Sequence, residues 1–491
     1  MGQAVDRRQF IGGAAALGAL GLLGTPGAAA ARGRHGRPGR LPRRERFVIR
    51  GAYVLTMDPD LGDLPSGDVA VRDGRIVAVG PRLRGGGRVV DGRDTIVMPG
   101  LIDTHWHLWT ALHRSMANSS PTNGYFALNV RLGRQFRPDD VYEGARLALA
   151  EALNSGITTV HDWSHNIRGP EYADANLRAH QEVGLRGRFS YGTPQGHPAT
   201  ATIDLADLER VHREWFRSGR LELVHLGLAG RPPGVAADDV ARTEYEAARR
   251  LGLPVSYHAN SNRAQGQQAN IQRLGDAGML GPDTQIIHAL FTTAAERRLL
   301  ASTGTSVSVS PWSELLIGYG VTTVKELVDA GVLLNLSVDT LPLTGNADMF
   351  SIIKLTLGLH RGQSEQEFSL TSRRALAMAT IDAARGLGID DVTGSLTPGK
   401  RADLIMVRTD EVNIAPFTDA PNMVALAAQP SNVDTVVVDG RVLKRGGRLT
   451  ALDTREVVCG ASAALERVLE RAGGAGGAAR PEDPHPAMCC G

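Results

Sequence analysis

Short apolar runs alternate with amphipathic stretches across residues 99–391 of the chain. Eight of the apolar runs have the length of buried strands, and they end near His107, Asp162, Tyr191, Leu228, His258, His288, Ser310 and Asp339. Stretches with helical periodicity separate them, for example from Pro138 to Asn154 and from Tyr172 to Val183. Eight parallel strands that alternate with helices are typical of a (β/α)₈ barrel. The pattern therefore predicts an α/β fold built on a TIM-like barrel.

Strand patterns flank this central region on both sides. Residues 46–98 contain short strands, including a hairpin with Asp73-Gly74 as its turn. Residues 392–453 again contain short strands separated by turns. Two β-rich segments on either side of an α/β region predict a small β-sandwich domain formed from both ends of the chain. A C-terminal helix and a disordered tail are expected over residues 454–491.

Residues 1–31 have the pattern of an export signal. Arg7 and Arg8 precede an apolar run rich in glycine and alanine, and Ala28-Ala29-Ala30 offers a cleavage site. Paired arginines at this position resemble a twin-arginine signal, so we expect export to the cell envelope or the medium. An uncleaved apolar N-terminus is the alternative. The run is too short for a comfortable transmembrane span, and no stable membrane anchor is expected. An arginine-rich linker follows over residues 32–45.

The composition changes this picture little. The 491 residues are 42% hydrophobic and carry a formal net charge of +2, which gives no reason to expect a nucleic acid partner. The cysteines Cys459, Cys489 and Cys490 are odd in number and clustered late, so they do not predict a disulfide framework. The vicinal pair Cys489-Cys490 could bind a metal or be an incidental feature of the tail.

Candidate chemistry is concentrated at the predicted carboxyl ends of the barrel strands. The first strand ends in His105-Trp106-His107. Side chains two residues apart on a strand point to the same face, so both imidazoles can reach one metal ion. His258 and His288 end the fifth and sixth strands, and Asp339 ends the eighth. Each of these alone has a structural explanation, as a satisfied core histidine or as a helix cap. Together they are the side chains of a catalytic metal site.

Three motifs resemble the amidohydrolase superfamily of metal-dependent hydrolases. They are Pro-Gly-Leu-Ile-Asp-Thr-His-x-His at residues 99–107, Gly-Ile-Thr-Thr-Val at residues 156–160, and the segment 394–404. The likeness is closest to the branch of triazine hydrolases and of cytosine, guanine and adenosylhomocysteine deaminases. It implies one divalent ion, zinc with iron or manganese as alternatives, bound by His105, His107, His258 and Asp339. The fourth strand contains no lysine, the residue that bridges two ions in other members, which favours a mononuclear site.

One departure from that branch concerns residue 261. Its deaminases and triazine hydrolases usually place a glutamate three residues after the fifth-strand histidine, and this chain has Ser261 there. This favours hydrolysis of a C–N bond, other than a peptide bond, in a small amide or cyclic amide by metal-activated water. Deamination or dechlorination of a heterocycle is the alternative. An exported binding protein without catalytic activity on the same fold is a third possibility.

Roles for the candidate side chains follow from their chemistry. Asp339 is expected to accept the proton of the water and pass it to the leaving nitrogen. His288 is expected to hydrogen-bond the substrate oxygen or the attacking hydroxide. Aromatic and polar groups near the strand ends predict a flat, partly apolar small-molecule substrate; these groups are Trp109, Trp163, His165, Tyr191 and Trp312. The sequence leaves the oligomeric state open, a homo-oligomer included.

Overall fold

The computed structural model describes residues 41–84, 86–117 and 120–473. The predicted signal segment, most of the predicted linker and Cys489-Cys490 lie outside these residues. Among the helices of the described residues, none combines the length and apolar character that a membrane crossing requires.

The strands of the described residues form two sheets. In chain order they are β1 (Phe47–Val54), β2 (Leu64–Arg72), β3 (Arg75–Gly80), β4 (Arg88–Asp91), β5 (Thr95–Pro99), β6 (Leu101–Trp106), β7 (Ile157–Ser164), β8 (Arg186–Tyr191), β9 (Val224–Gly230), β10 (Val255–Ala259), β11 (Thr284–His288), β12 (Ser306–Val309), β13 (Leu334–Leu336), β14 (Leu404–Arg408), β15 (Val433–Val438), β16 (Arg441–Arg445) and β17 (Arg448–Leu449).

The α-helices of the described residues lie mostly between the barrel strands. They are α1 (Tyr125–Gly133), α2 (Pro138–Asn154), α3 (Pro170–Val183), α4 (Leu205–Val211), α5 (Asp238–Arg250), α6 (Arg263–Gln267), α7 (Asn270–Asp276), α8 (Ala294–Thr303), α9 (Pro311–Leu316), α10 (Val324–Asp329), α11 (Leu341–Thr344), α12 (Met349–Ser364), α13 (Ser372–Met378), α14 (Ile381–Gly386), α15 (Ala420–Leu426) and α16 (Thr454–Arg471). Short 3₁₀-helices span Leu108–His113, Pro121–Asn123 and Pro430–Asn432, and a π-helical turn spans His212–Arg217.

Strands β6 to β13 form the predicted barrel. Each is hydrogen-bonded in parallel to the next along the chain. A parallel bridge between Trp106 and Asp339 joins the last strand segment to the first. The predicted helix from Pro138 to Asn154 is confirmed as α2, and α3 begins at Pro170, since proline is well suited to the first turn of a helix. Strand β13 ends at Leu336, three residues before the predicted end.

The second sheet combines both ends of the described chain, as predicted. Its main order is β17-β16-β15-β14-β5-β1-β2-β3, with β4 alongside β1, so the strands form one continuous sheet. The contact between the two ends is the antiparallel pair of β5 and β14. The β2–β3 hairpin turns at Asp73 and Gly74, whose φ angles are 53° and 79°. Two successive positive φ angles are the requirement of a type I′ hairpin turn, which explains the Asp-Gly pair.

Gly100 lies at the crossing from this sheet into the barrel. Strand β5 ends at Pro99 and β6 begins at Leu101. A Cβ atom at position 100 would lie 2.1 Å from Thr158 Oγ1, so no larger residue fits without displacing β7. The sheet therefore meets the amino-terminal end of β6, opposite to the end that carries His105.

Candidate active site

The ends of two barrel strands, β6 and β10, and the segment after β13 bring the four predicted metal ligands together. Asp339 Oδ1 lies 3.3 Å from His105 Nε2 and 3.4 Å from His107 Nε2. The ring centroids of His105 and His258 are 4.8 Å apart. The rings of His107 and His258 stack at 5.4 Å with an angle of 12° between their planes. All four side chains therefore lie around one point at the mouth of the barrel.

The possible ligand atoms form two overlapping groups. Those of His105, His107 and Asp339 lie within 4.8 Å of one another, and so do those of His105, His258 and His288. His105 belongs to both groups and is the central residue. His288 is predicted to contact the substrate. Its ligand atom nevertheless lies within 4.8 Å of those of His105 and His258, so its position is also compatible with metal binding. The site therefore offers four imidazoles and one carboxylate.

The chemistry of these donors fits a divalent metal. Both ring nitrogens of His105 are buried and have no hydrogen-bond partner among the described residues. An unsatisfied buried polar atom is costly, and a metal ion would satisfy one of these two. His107 Nδ1 donates to the carbonyl oxygen of Trp163 at 3.0 Å, which leaves the lone pair of Nε2 toward Asp339. Nitrogen and carboxylate donors together suit zinc and related ions.

Burial keeps the mouth imidazoles in the form that binds metals. It lowers the pKa of His105, His107 and His258 well below the ordinary value, and neighbouring histidines lower it further. Metal ligation requires neutral imidazole. These side chains are therefore prepared to bind a cation without first losing a proton.

The backbone holds Asp339 in a rare conformation. Its φ angle is 67°, in the left-handed region that non-glycine residues seldom occupy. Its N–H donates to the carbonyl oxygen of His105 at 2.9 Å, and its carbonyl oxygen accepts from the N–H of His107 at 2.8 Å. Ser313 Oγ donates to Asp339 Oδ2. Oδ1 is therefore the oxygen that faces the two imidazoles.

Asp103 joins β6 to the segment after β13 through hydrogen bonds to their backbone N–H groups. Its Oδ1 accepts from the N–H of His105 at 3.0 Å, and its Oδ2 accepts from the N–H of Val338 at 2.7 Å. The side chain is fully buried, and burial raises the pKa of this carboxyl well above its ordinary value. Asp103 was not among the predicted site residues, although its position two residues before His105 on a strand places it on the same face.

His288 forms a pair with Glu314, a residue that sequence analysis missed. The imidazole Nδ1 lies 3.0 Å from Glu314 Oε1, and the fully buried carboxylate also accepts from the N–H of Ser310 and the hydroxyl of Thr322. Burial acts to lower the pKa of His288, but the hydrogen bond to Glu314 and the charge of Asp339 outweigh it and raise the pKa. With Nδ1 held by Glu314, Nε2 is the nitrogen left for a substrate or a metal.

Two of the predicted substrate-binding residues, Trp163 and His165, lie beside the mouth histidines, and a third, Trp109, lies behind them. The Trp163 ring lies edge-on to His258 at 4.3 Å, and its Nε1–H donates to Ser256 Oγ at 2.9 Å. The His165 ring lies 4.1 Å from that of His107. Trp109 is one step further back, where its ring packs against Phe136 at 5.1 Å and lies 5.4 Å from His165.

Tyr191 and Trp312 are placed differently. The Tyr191 hydroxyl donates to Asp207 Oδ2 at 2.8 Å, and its ring is buried beneath α4. The Trp312 side chain is 38% exposed, and its Nε1–H donates to Ser351 Oγ at 3.2 Å. Within the described residues, neither ring contacts the mouth histidines. Their roles in substrate binding remain predictions.

Two tyrosines that the sequence did not single out lie close to Asp339. Burial raises the pKa of Tyr125 and of Tyr319, and the charge of Asp339 raises both further. The Tyr319 ring lies 5.7 Å from that of His288. Ser261 is also buried, and its Oγ has no hydrogen-bond partner among the described residues. No local pattern in the sequence marks the two tyrosines, because only tertiary contacts bring them to the mouth, whereas Ser261 was predicted from its position after His258.

Comparison with known proteins decides the family. The model of the amidohydrolase family matches residues 96–443. The chain belongs to the amidohydrolase family. The resemblance seen in the motifs is thus confirmed, and the protein is a hydrolase of C–N bonds in a metal-dependent family.

Relatives of this amidohydrolase are deaminases. The 5'-deoxyadenosine deaminase of Methanosarcina acetivorans is 29% identical over 437 residues, which cover 87% of this chain and 99% of that protein. The 5-methylthioadenosine/S-adenosylhomocysteine deaminase of Symbiobacterium thermophilum is 30% identical over 419 residues, covering 81% and 93%. The solved structure of an adenosine deaminase from Xanthomonas campestris, with bound zinc, matches with a TM-score of 0.78 at 25% identity and covers 87% of this chain and 100% of that one.

Proposed function

We propose that this amidohydrolase cleaves the C–N bond of a small, planar amide or cyclic amide. The proposal includes one divalent ion, with zinc as the first candidate and iron or manganese as alternatives, bound by His105, His107, His258 and Asp339. The observation that carries it is the set of groups around the mouth: a metal-type donor cluster with one carboxylate, and a serine at position 261.

The metal supplies Lewis acidity when bound, which lowers the pKa of a water and polarises a carbonyl. Asp339 is positioned to accept a proton through Oδ1, because Ser313 already occupies Oδ2. It then returns that proton to the leaving nitrogen, which makes it general base and general acid in turn. His288 presents Nε2 to the substrate oxygen, since Glu314 holds Nδ1.

Ser261 supports amide hydrolysis over ring deamination. A deaminating enzyme must protonate the ring as water adds, and a carboxyl group three residues after the strand histidine is the usual donor in related deaminases. A serine hydroxyl can hydrogen-bond but is far too weak an acid for that task near neutral pH. An amide has one nitrogen that needs a proton, and Asp339 alone can provide it.

Deamination of an adenosine-type nucleoside is the second candidate. Its support is the likeness to three kinds of adenosine-related deaminase over more than four fifths of the chain. Trp163 and His165 beside the mouth are compatible with a flat base as well as with an aromatic amide.

A substrate screen with one pair of variants separates the two candidates. We expect the zinc-loaded enzyme to hydrolyse aromatic amides or cyclic ureas and to leave 5'-deoxyadenosine and methylthioadenosine almost unchanged. Ser261→Glu should gain deaminase activity, while Ser261→Ala, which restores no acid, should resemble the wild type. Efficient release of ammonia from the nucleosides by the wild type would contradict the amide proposal and favour the second candidate.

We also propose that the protein is exported by the twin-arginine route. The support is the sequence alone: Arg7 and Arg8 before an apolar run, with a small-residue site at Ala28-Ala29-Ala30. Changing Arg7 and Arg8 together to lysine should trap the precursor inside the cell, because lysine lacks the guanidinium group. Undiminished secretion of the double variant would exclude this route.

A further inference from the structure

A second cavity lies at the opposite end of the barrel from the mouth. Its volume is about 490 Å³, and its wall includes Arg188 on β8, the first residues of β9, residues 251–254 before β10 and residues 387–389. Three basic side chains line it, namely Arg188, His212 and His225. The proposed reaction uses none of them.

Arg188 carries a buried charge with little compensation. The residue is only 5% exposed, and the one hydrogen bond its guanidinium makes among the described residues is from Nη2 to the carbonyl oxygen of Leu387, at 2.8 Å. Burial lowers its pKa to about 10. By contrast, Arg186 on the same strand is paired with the carboxylate of Asp403 through two hydrogen bonds. The charge of Asp283 acts on Arg188, but the guanidinium has no hydrogen-bonded carboxylate among the described residues. A buried cation without a hydrogen-bonded anion is costly, so Arg188 can still bind one.

His225 lies directly beside Arg188. The two residues are register partners on β8 and β9, and partners in adjacent parallel strands project to the same side of the sheet. Two basic groups side by side disfavour each other unless a negative charge lies between or above them. In line with this, burial and the charges of Arg186 and Arg188 lower the pKa of His225.

The carboxylates that line this cavity already have partners. Glu222 pairs with Arg44 at 3.4 Å, and Asp283 pairs with Arg249. Both carboxylate side chains are more than half exposed, at 68% and 51%, so they lie at the rim. The cavity wall is therefore left with the positive charge of the buried Arg188 and the imidazole of His225, which is exposed to solvent.

We propose that this lower cavity binds a small oxyanion, either a phosphate or a carboxylate, with Arg188 as its anchor and His225 as a second donor. The guanidinium presents paired N–H groups whose geometry matches either kind of anion. An anion bound here stabilises the folded barrel by mass action, because the unfolded chain has no such site. The inference does not depend on the reaction at the mouth.

Calorimetric titration of the metal-loaded enzyme with inorganic phosphate, at constant ionic strength, tests the proposal. We expect saturable binding of one phosphate, weakened about ten-fold or more in Arg188→Met, since charge-assisted bidentate contacts are the strong ones. A parallel titration with malonate shows which oxyanion is preferred. Arg213→Met is the matched control, because Arg213 is an exposed arginine near the same end of the barrel that does not line the cavity.

The variants also identify a wrong assignment. His225→Gln changes a solvent-accessible side chain and should weaken phosphate binding by about three-fold without loss of the fold. If Arg188→Met fails to fold, the phosphate affinity of His225→Gln tests the proposal instead. Unchanged binding in His225→Gln and Arg188→Met would locate the anion elsewhere, for example at the metal, and would overturn the proposal. So would the absence of saturable binding of either anion to the wild type.

Discussion

The rings of His105 and His161 lie 6.5 Å apart inside the barrel, and their nitrogens differ in hydrogen bonding. His161, on β7, has both nitrogens in hydrogen bonds: Nδ1 with the carbonyl oxygen of Thr104 at 2.8 Å, and Nε2 with Ser190 Oγ at 2.7 Å. His105, on β6, has neither nitrogen satisfied among the described residues. Both side chains are fully buried.

The difference separates a structural histidine from a candidate ligand. Burial lowers the pKa of both residues, to about 3 for His161, so charge does not distinguish them. Hydrogen bonding does, because a buried imidazole whose nitrogens are paired has no lone pair for a metal. His161 crosslinks neighbouring strands, whereas His105 depends on a group that the polypeptide does not supply.

Replacing His105 should have the largest effect on metal binding and turnover, and replacing His161 provides the matched comparison. His105→Ala is expected to lose the metal and all measurable turnover, because His105 belongs to both groups of possible ligands. His161→Asn should keep the metal and lose about 1–3 kcal/mol of stability, since Thr104 and Ser190 lose a buried partner. Elemental analysis and denaturant unfolding measure the two outcomes. Metal loss of equal extent in both variants would contradict the assignment of His105 as a ligand and His161 as a structural histidine.

Asp339→Asn should have the next largest effect. An amide can lie beside a metal but cannot accept a proton, so turnover should fall by about 10² to 10⁴-fold while KM changes little. Steady-state kinetics at saturating metal gives both parameters. A change confined to KM would show that Asp339 only holds the substrate, and the proposed proton transfer would have to be assigned to another group.

His288 is intermediate between His161 and His105, because only one of its ring nitrogens is paired, with Glu314. Glu314→Gln should lower kcat by about ten-fold and leave the metal in place, because the amide is a weaker acceptor for His288 Nδ1. His288→Ala should lower kcat further and also retain most of the metal. Glu367→Gln, an exposed glutamate far along the chain, is the control. If His288→Ala lost its metal as completely as His105→Ala, His288 would be a ligand.

The sequence was most informative where the pattern is local. The length of an apolar run and the period of a helix depend on neighbouring residues, and α2 lies at the predicted Pro138 to Asn154. The i and i+2 spacing of His105 and His107 likewise needed only strand geometry. These signals placed the barrel and the mouth histidines without any knowledge of which strands pair.

Tertiary contacts account for what the sequence did not reveal. Glu314 reaches His288 across 26 residues, and Asp103 reaches Val338 across 235. Neither separation corresponds to a helical or strand period, so no repeat in the chain marks these pairs. The same limit explains Tyr191, which ends a strand as predicted but directs its hydroxyl to Asp207 on α4.

Two tryptophans give the smallest effect and the finest test of the mouth. Trp163 contacts His258 edge-on at 4.3 Å, whereas Trp312 is partly exposed and bonded to Ser351. Trp163→Ala should therefore raise KM for a flat substrate by about ten-fold, since aromatic contacts contribute about 0.5–1.5 kcal/mol beyond area burial. Trp312→Ala should raise it less. Trp163→Phe, which keeps a ring but loses the hydrogen bond to Ser256, should lie between Trp163→Ala and the wild type. Equal KM values in all four proteins would show that Trp163 supports the histidines without touching the substrate.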